Sequence, residues 1–149
     1  MAIVLSEKIY TYVYISEVVS DISPKEFSQI ISNSRANNLA KNISGILFYD
    51  GAHFFQYLEG EASNLAEVIS KIEGSSQHQN IQLLYKNKLP LEARKFANWE
   101  LGYVDCVNHA SIFDTFAAFI QEKSDDFLEG HLLKIEQAML PMIKSSDIL

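Results

Sequence analysis

Ile9-Tyr10-Thr11-Tyr12-Val13-Tyr14-Ile15 alternates β-branched and aromatic residues with a period of two, the pattern of a strand with both faces covered. Tyr10, Tyr12 and Tyr14 share one face, while Ile9, Thr11, Val13 and Ile15 share the other. Apolar side chains on both faces put this strand at the centre of a sheet. Working outward, Ser23-Pro24-Lys25-Glu26 carries an N-cap serine, a proline at the first helical position and a glutamate at the third, so a helix opens there. Its inward stripe is Phe27, Ile30, Ile31, Ser34 and Asn38, apolar at the start and polar at the end. Ile43 to Tyr49 and His53 to Leu58 read as strands joined at Asp50-Gly51, a hairpin closed by Gly60. Leu65, Val68, Ile69 and Ile72 mark a second amphipathic helix that stops near Gly74. Ile81 to Tyr85 and Trp99 to Val104 read as a fourth and a fifth strand.

The order βαββαββ predicts an α+β, ferredoxin-like fold, with the first and third strands adjacent at the sheet centre and two helices on one face. Two additional C-terminal helices follow, one around Phe113, Phe116 and Ile120 and one carrying Leu128, Leu132, Ile135 and Met139. They are the candidates to cover the other face. The expected organisation is one unit, residues 1–106 forming the core domain and 107–149 an extension packed on it.

Composition narrows the function. The 149 residues carry 12 basic and 19 acidic side chains, a net charge of −7, whereas a phosphate-neutralising nucleic-acid surface needs the opposite sign. One cysteine, Cys106, fits a reducing compartment. There is no apolar run of membrane-spanning length and no basic, apolar leader at the N-terminus, so a cytoplasmic location is expected, without membrane or nucleic-acid partners. No nucleophile elbow, phosphate loop, Gly-x-Gly-x-x-Gly or His-Glu-x-x-His occurs. The four histidines, His53, His78, His109 and His131, lack metal-ligand spacing. The chain is not expected to be an enzyme or to bind metal.

What stands out is a set of uncharged polar side chains at apolar positions. Gln56 shares a face with Phe54 and Leu58, Asn38 ends an apolar stripe, and Tyr14 lies on the central strand. Each has a plain reading: a core tyrosine, a satisfied core amide, an asparagine ending a helix. Each also has a ligand-binding reading, because a buried amide without partners costs about 1–3 kcal/mol per unsatisfied group. With the first and third strands adjacent, Tyr14 and Gln56 can touch under Asn38.

Asn37-Asn38, Ile43-Ser44-Gly45-Ile46-Leu47-Phe48-Tyr49 and Phe54-Phe55-Gln56-Tyr57-Leu58-Glu59-Gly60-Glu61, with Tyr14, His78 and Phe96-Ala97-Asn98-Trp99, resemble the BLUF family of flavin-binding blue-light sensors. The likeness covers about residues 8 to 105, and the two C-terminal helices resemble those of its short, single-domain members. It implies a noncovalent FAD between the two helices, hydrogen-bonded at its ring edge by Asn38 and Gln56. Ile30, Ser34, Asn37, Leu47, Phe54 and His78 match pocket positions. It further implies that Tyr14 passes an electron and a proton through Gln56, that the charges recombine, and that Gln56 ends rotated or tautomerised with a small red shift and no net chemistry. Trp99 and Leu101 match the family's signal path.

Two departures follow from the same comparison. Leu101 stands where the family has methionine, filling similar volume without the thioether acceptor. Gln77 stands where the family often has arginine, and a diphosphate prefers a cation. Weaker diphosphate retention is therefore expected, with FMN or riboflavin also accepted and riboflavin and FAD binding equally. Output is expected through a homo-oligomer and a downstream signalling protein. The alternatives are a light-inert flavin-binding or adaptor protein and a small flavin reductase.

Overall fold

The alternating run forms β1 (Lys8–Val18), and it is central as its two apolar faces require. A computed structural model describes residues 8–19, 22–90, 94–96, 100–105, 107 and 134–141. After β1 come α1 (Pro24–Ala40), β2 (Ser44–Tyr49), β3 (His53–Gly60), α2 (Ala62–Glu73), β4 (His78–Pro90) and β5 (Gly102–Asp105). The sheet order is β4-β1-β3-β2-β5. β1 is antiparallel to both β3 and β4, β2 is antiparallel to β3, and β5 runs parallel to β2 at the edge. This is the expected ferredoxin-like α+β arrangement, with β1 and β3 side by side.

Local chemistry sets the boundaries. The Ser23 hydroxyl accepts from the Glu26 amide at 3.1 Å, with Pro24 in the first turn. Asn42, at φ 52°, ends the same helix in the left-handed region that asparagine tolerates. In the hairpin, Gly51 takes φ 92° while Asp50 Oδ1 accepts from the amides of Ala52 and His53 at 2.9 and 2.7 Å. β3 is tight against its neighbour: a Cβ on Gly45 would lie 2.0 Å from the backbone oxygen of Tyr57. Gly45→Ala is therefore expected to lower stability by about 2 kcal/mol, since the obstacle is backbone and cannot rotate away. Denaturant midpoints check this, and an unchanged midpoint would show slack between β2 and β3.

β4 is longer than the predicted Ile81–Tyr85, because two bulges break its alternation. The register against β1 slips between Val13 and Tyr14 and again between Ile15 and Glu17. At the second slip Asn80 sits at φ 53° and donates to Glu17 at 2.7 Å. At the first, one extra residue sends both Leu84 and Tyr85 to the same core. β5 begins at Gly102, later than the predicted Trp99.

The sheet separates two cores. On one face Tyr12, Tyr14 and Leu58 pack with Leu65 and Val68 of α2, and Leu47, Phe54, Leu101 and Tyr103 pack with Ile31 of α1. On the other, Val13, Ile46, Phe48, Phe55 and Tyr57 pack with Ile135 and Met139. These last two lie on α3, residues 134–141, so this C-terminal helix covers the face that α1 and α2 leave open. The predicted helix around Phe113 lies outside the described residues.

Candidate functional site

Two registers build the centre of the site. Across β1 and β3, Tyr14 lies opposite Gln56, and across β2 and β3, Leu47 lies opposite Gln56. All three point to the α1 and α2 side, as the parity of β1 requires. The Tyr14 hydroxyl donates to Gln56 Oε1 at 2.5 Å, with the two residues only 3% and 5% exposed. Burial holds the Tyr14 phenol far above its ordinary pKa, and Tyr12 adds to the effect. The phenol is thus an O–H donor at any working pH. With its carbonyl taken by Tyr14, Gln56 has its two N–H donors to offer a ligand.

Above this pair a cleft of about 230 Å³ opens between the helices. Its floor is Tyr14, Leu47, Phe54 and Gln56, all buried, and its walls are Ile30, Ser34 and Asn38 from α1 and Val68 and Ile72 from α2. Asn37 and Lys71 are exposed at its edge, and His78 closes one end. The predicted binding set of Ile30, Ser34, Asn37, Asn38, Leu47, Phe54, Gln56 and His78 is brought together in this one cleft. Aliphatic walls with amides at the deep end suit a flat heteroaromatic ring that carries carbonyl and N–H groups along one edge. No carboxylate is among the described residues that line it, so no side-chain charge of its walls opposes an anionic appendage.

His78 has a structural duty here. Its Nε2 donates to the carbonyl of Ile72 at 2.7 Å, and its Nδ1 meets Ser16 Oγ at 2.8 Å. The ring therefore ties the end of α2 to β1 and β4. Its centroid lies 6.1 Å from those of both Tyr14 and Phe54. With both nitrogens engaged by protein, His78 lines the cleft without a free ring nitrogen.

Asn38, 2% exposed, donates from Nδ2 to the carbonyl of Glu100 at 2.6 Å. One turn earlier Arg35 Nε donates to the carbonyl of Leu101 at 3.0 Å. α1 thus pins the chain leading into β5 from the same amide that lines the cleft. Leu101 is buried against Leu47 and Phe54, which links the cleft floor to that segment. Trp99 lies outside the described residues. Arg35, Ser16 and Lys71 went unremarked in the sequence, because each lies outside the apolar stripes and motifs and gains its role only through contacts distant in the chain. Across the top, Lys41 and Glu67 pair at 2.5 Å and join α1 to α2. The hydrogen bond and charge of Lys41 hold the Glu67 carboxyl below its ordinary range.

The family model described as BLUF, sensors of blue light using FAD, matches residues 9–102. The chain belongs to the BLUF family. A curated relative from Escherichia coli strain K12, the blue light- and temperature-regulated antirepressor BluF, is 27% identical over 147 aligned positions. The match spans 92% of this chain and 36% of that protein, so the chain corresponds to about a third of the relative's length. Among solved structures, the dark state of the BLUF protein BlrB superposes with a TM-score of 0.68 at 25% identity, covering 91% of this chain and 97% of that one. A bacterial light-regulated adenylyl cyclase superposes with a TM-score of 0.61 at 28% identity, covering 91% of this chain and 36% of the cyclase. Flavin binding and blue-light sensing are the properties of the BLUF family. Among the described residues no cluster of three or more His, Cys, Asp or Glu is placed to hold a metal. None of their helices is long and apolar enough to cross a membrane.

Proposed function

We propose that this BLUF chain is a blue-light switch rather than a catalyst, with Tyr14 and Gln56 as its photoactive pair and Ile30, Ser34, Asn37, Asn38, Leu47, Phe54, Gln56 and His78 holding FAD. The single observation that carries this is the buried Tyr14 O–H aimed at Gln56 Oε1 in the floor of the cleft. When bound, the flavin supplies a light-driven oxidant. Tyr14 supplies the electron and the proton. Its raised pKa keeps the proton on the phenol until the electron leaves, which couples the two transfers. The proton departs along the bond to Gln56, whose carbonyl accepts while its amide donates, so the side chain can relay. Return of the charges leaves Gln56 with an altered hydrogen-bond arrangement against the chromophore edge.

The route outward runs through Asn38 and Leu101, which join the cleft to the entrance of β5, with Trp99 just before it. Residues 107–149 are read as an extension of the same unit, because Ile135 and Met139 fill the far core. Output then passes to a second protein, with self-association as the accompanying change, in a cytoplasmic setting. The relative described as an antirepressor motivates a protein partner. Blue light on the purified holoprotein is expected to give a small red shift that reverses in the dark. Tyr14→Phe, which keeps the ring and removes the donor, is expected to lose it. A yellow wild-type protein that shows no shift would defeat the sensor reading and leave a flavin carrier.

A further inference from the structure

Granted the flavin reading above, we infer that Lys71 forms a phosphate subsite at the mouth of the cleft, so that the chain selects phosphate-bearing flavins, FMN and FAD, over riboflavin. The cleft is polarised. Its floor is buried, and its edge on the α2 side is formed by Lys71, Ser75 and Gln77, with Asn33 facing them from α1. Ser75 and Gln77 are bonded to each other, the Gln77 amide donating to Ser75 Oγ at 3.2 Å. Gln77 brings no charge to this edge, and His78 has spent both nitrogens on Ile72 and Ser16. Among the described lining residues, Lys71 is left as the cation.

An anion here needs one. The edge lies at the C-terminal end of α2, where the helix presents carbonyl oxygens and a partial negative charge. The amides of the turn are already used: Gly74 donates to Ser70 and Ser75 to Ile72, both at 3.1 Å. A phosphate placed there would meet acceptors unless a side chain intervenes. Lys71, in the last turn of α2, carries three N–H donors on a flexible stem and offsets the helix end. With a net charge of −7 over the chain, a cation at the mouth also gives the ligand an electrostatic reason to enter with its ring toward the neutral floor. The charge that position 77 lacks is supplied from position 71.

Titration of the full-length apoprotein with riboflavin, FMN and FAD, followed by flavin fluorescence at low and high salt, tests this. At low salt FMN and FAD are expected to bind about tenfold more tightly than riboflavin, the low end for a charged hydrogen bond. High salt should narrow the gap, since the contact is exposed. Lys71→Met should bring FMN and FAD to the riboflavin level without changing riboflavin itself, and Lys71→Arg should retain the preference. Equal binding of all three ligands by the wild type overturns the inference while leaving the flavin reading intact. So does a Lys71→Met variant that weakens all three alike, because that marks a structural role. Failure of all three flavins to bind overturns both.

Discussion

In Gln56→Leu the blue-light absorption shift is expected to be absent while flavin remains bound. Leucine fills nearly the same space on a floor already lined by Leu47 and Phe54, so the cleft keeps its shape. What it removes is the acceptor of the Tyr14 hydroxyl and the N–H donors facing the ligand. A side chain that can neither accept nor donate cannot relay a proton or store a rearranged hydrogen-bond pattern. The same change leaves a buried phenol O–H unpaired, which should lower stability by about 1–3 kcal/mol. Adding Tyr14→Phe removes that orphan, so the double variant should be more stable than Gln56→Leu alone. Difference spectra and denaturation curves on the three variants check both statements. A preserved shift in Gln56→Leu would remove Gln56 from the mechanism. A double variant less stable than either single one would show that the pair contributes packing rather than a mutually satisfied bond.

The site was largely legible because parity and register suffice for it. An alternating strand assigns Tyr14 to one face, the Asp50-Gly51 turn fixes the hairpin, and adjacency of the first and third strands then sets Tyr14 against Gln56. The helix stripe that turns polar at Ser34 and Asn38 supplied the opposite wall. β4 was harder to read for a local reason. Its ends, His78-Gln79-Asn80 and Lys86-Asn87-Lys88, have the polar composition of a loop, yet an edge strand is where such residues protect the sheet from pairing with other chains. Its bulges also place Leu84 and Tyr85 on one side, which no period-two reading allows. Lys71 is a further case: an exposed lysine on an amphipathic helix looks like solubility until the fold puts it at the mouth of a cleft.

Glu59→Ala is expected to lower stability by about 3 kcal/mol, because one carboxylate serves three donors. Glu59 lies on β3 three residues past Gln56, hence on the opposite face, and its side chain is fully buried. Its Oε1 accepts from the Lys95 amide at 2.7 Å, and its Oε2 accepts from the Phe96 amide at 2.6 Å and from Ser44 Oγ at 2.9 Å. Arg94 reaches Ser44 Oγ and the carbonyl of Asn42 at 2.9 and 3.2 Å. Phe96 packs edge-on against Tyr57, and Lys95 faces Glu136 of α3 at 3.7 Å. Glu59 is therefore the clasp that fixes residues 94–96 to the sheet. Burial outweighs these donors and the Arg94 charge and pushes the Glu59 carboxyl above its ordinary value. The folded protein then binds this proton more tightly than the unfolded chain. The resulting stabilisation is complete below the unfolded carboxyl range, about 4.3, and is lost as pH rises through the raised folded value. Glu59→Gln cannot titrate, and it turns an NH2 group toward an amide donor. Its stability deficit against wild type should accordingly widen as pH falls from 7 toward 5. A deficit that narrows on acidification would mean the donors hold the carboxyl ionised. The light-induced shift should be unchanged in Glu59→Gln, because Glu59 faces away from the cleft; its loss would require that the clasp and the Tyr14–Gln56 pair communicate through β3.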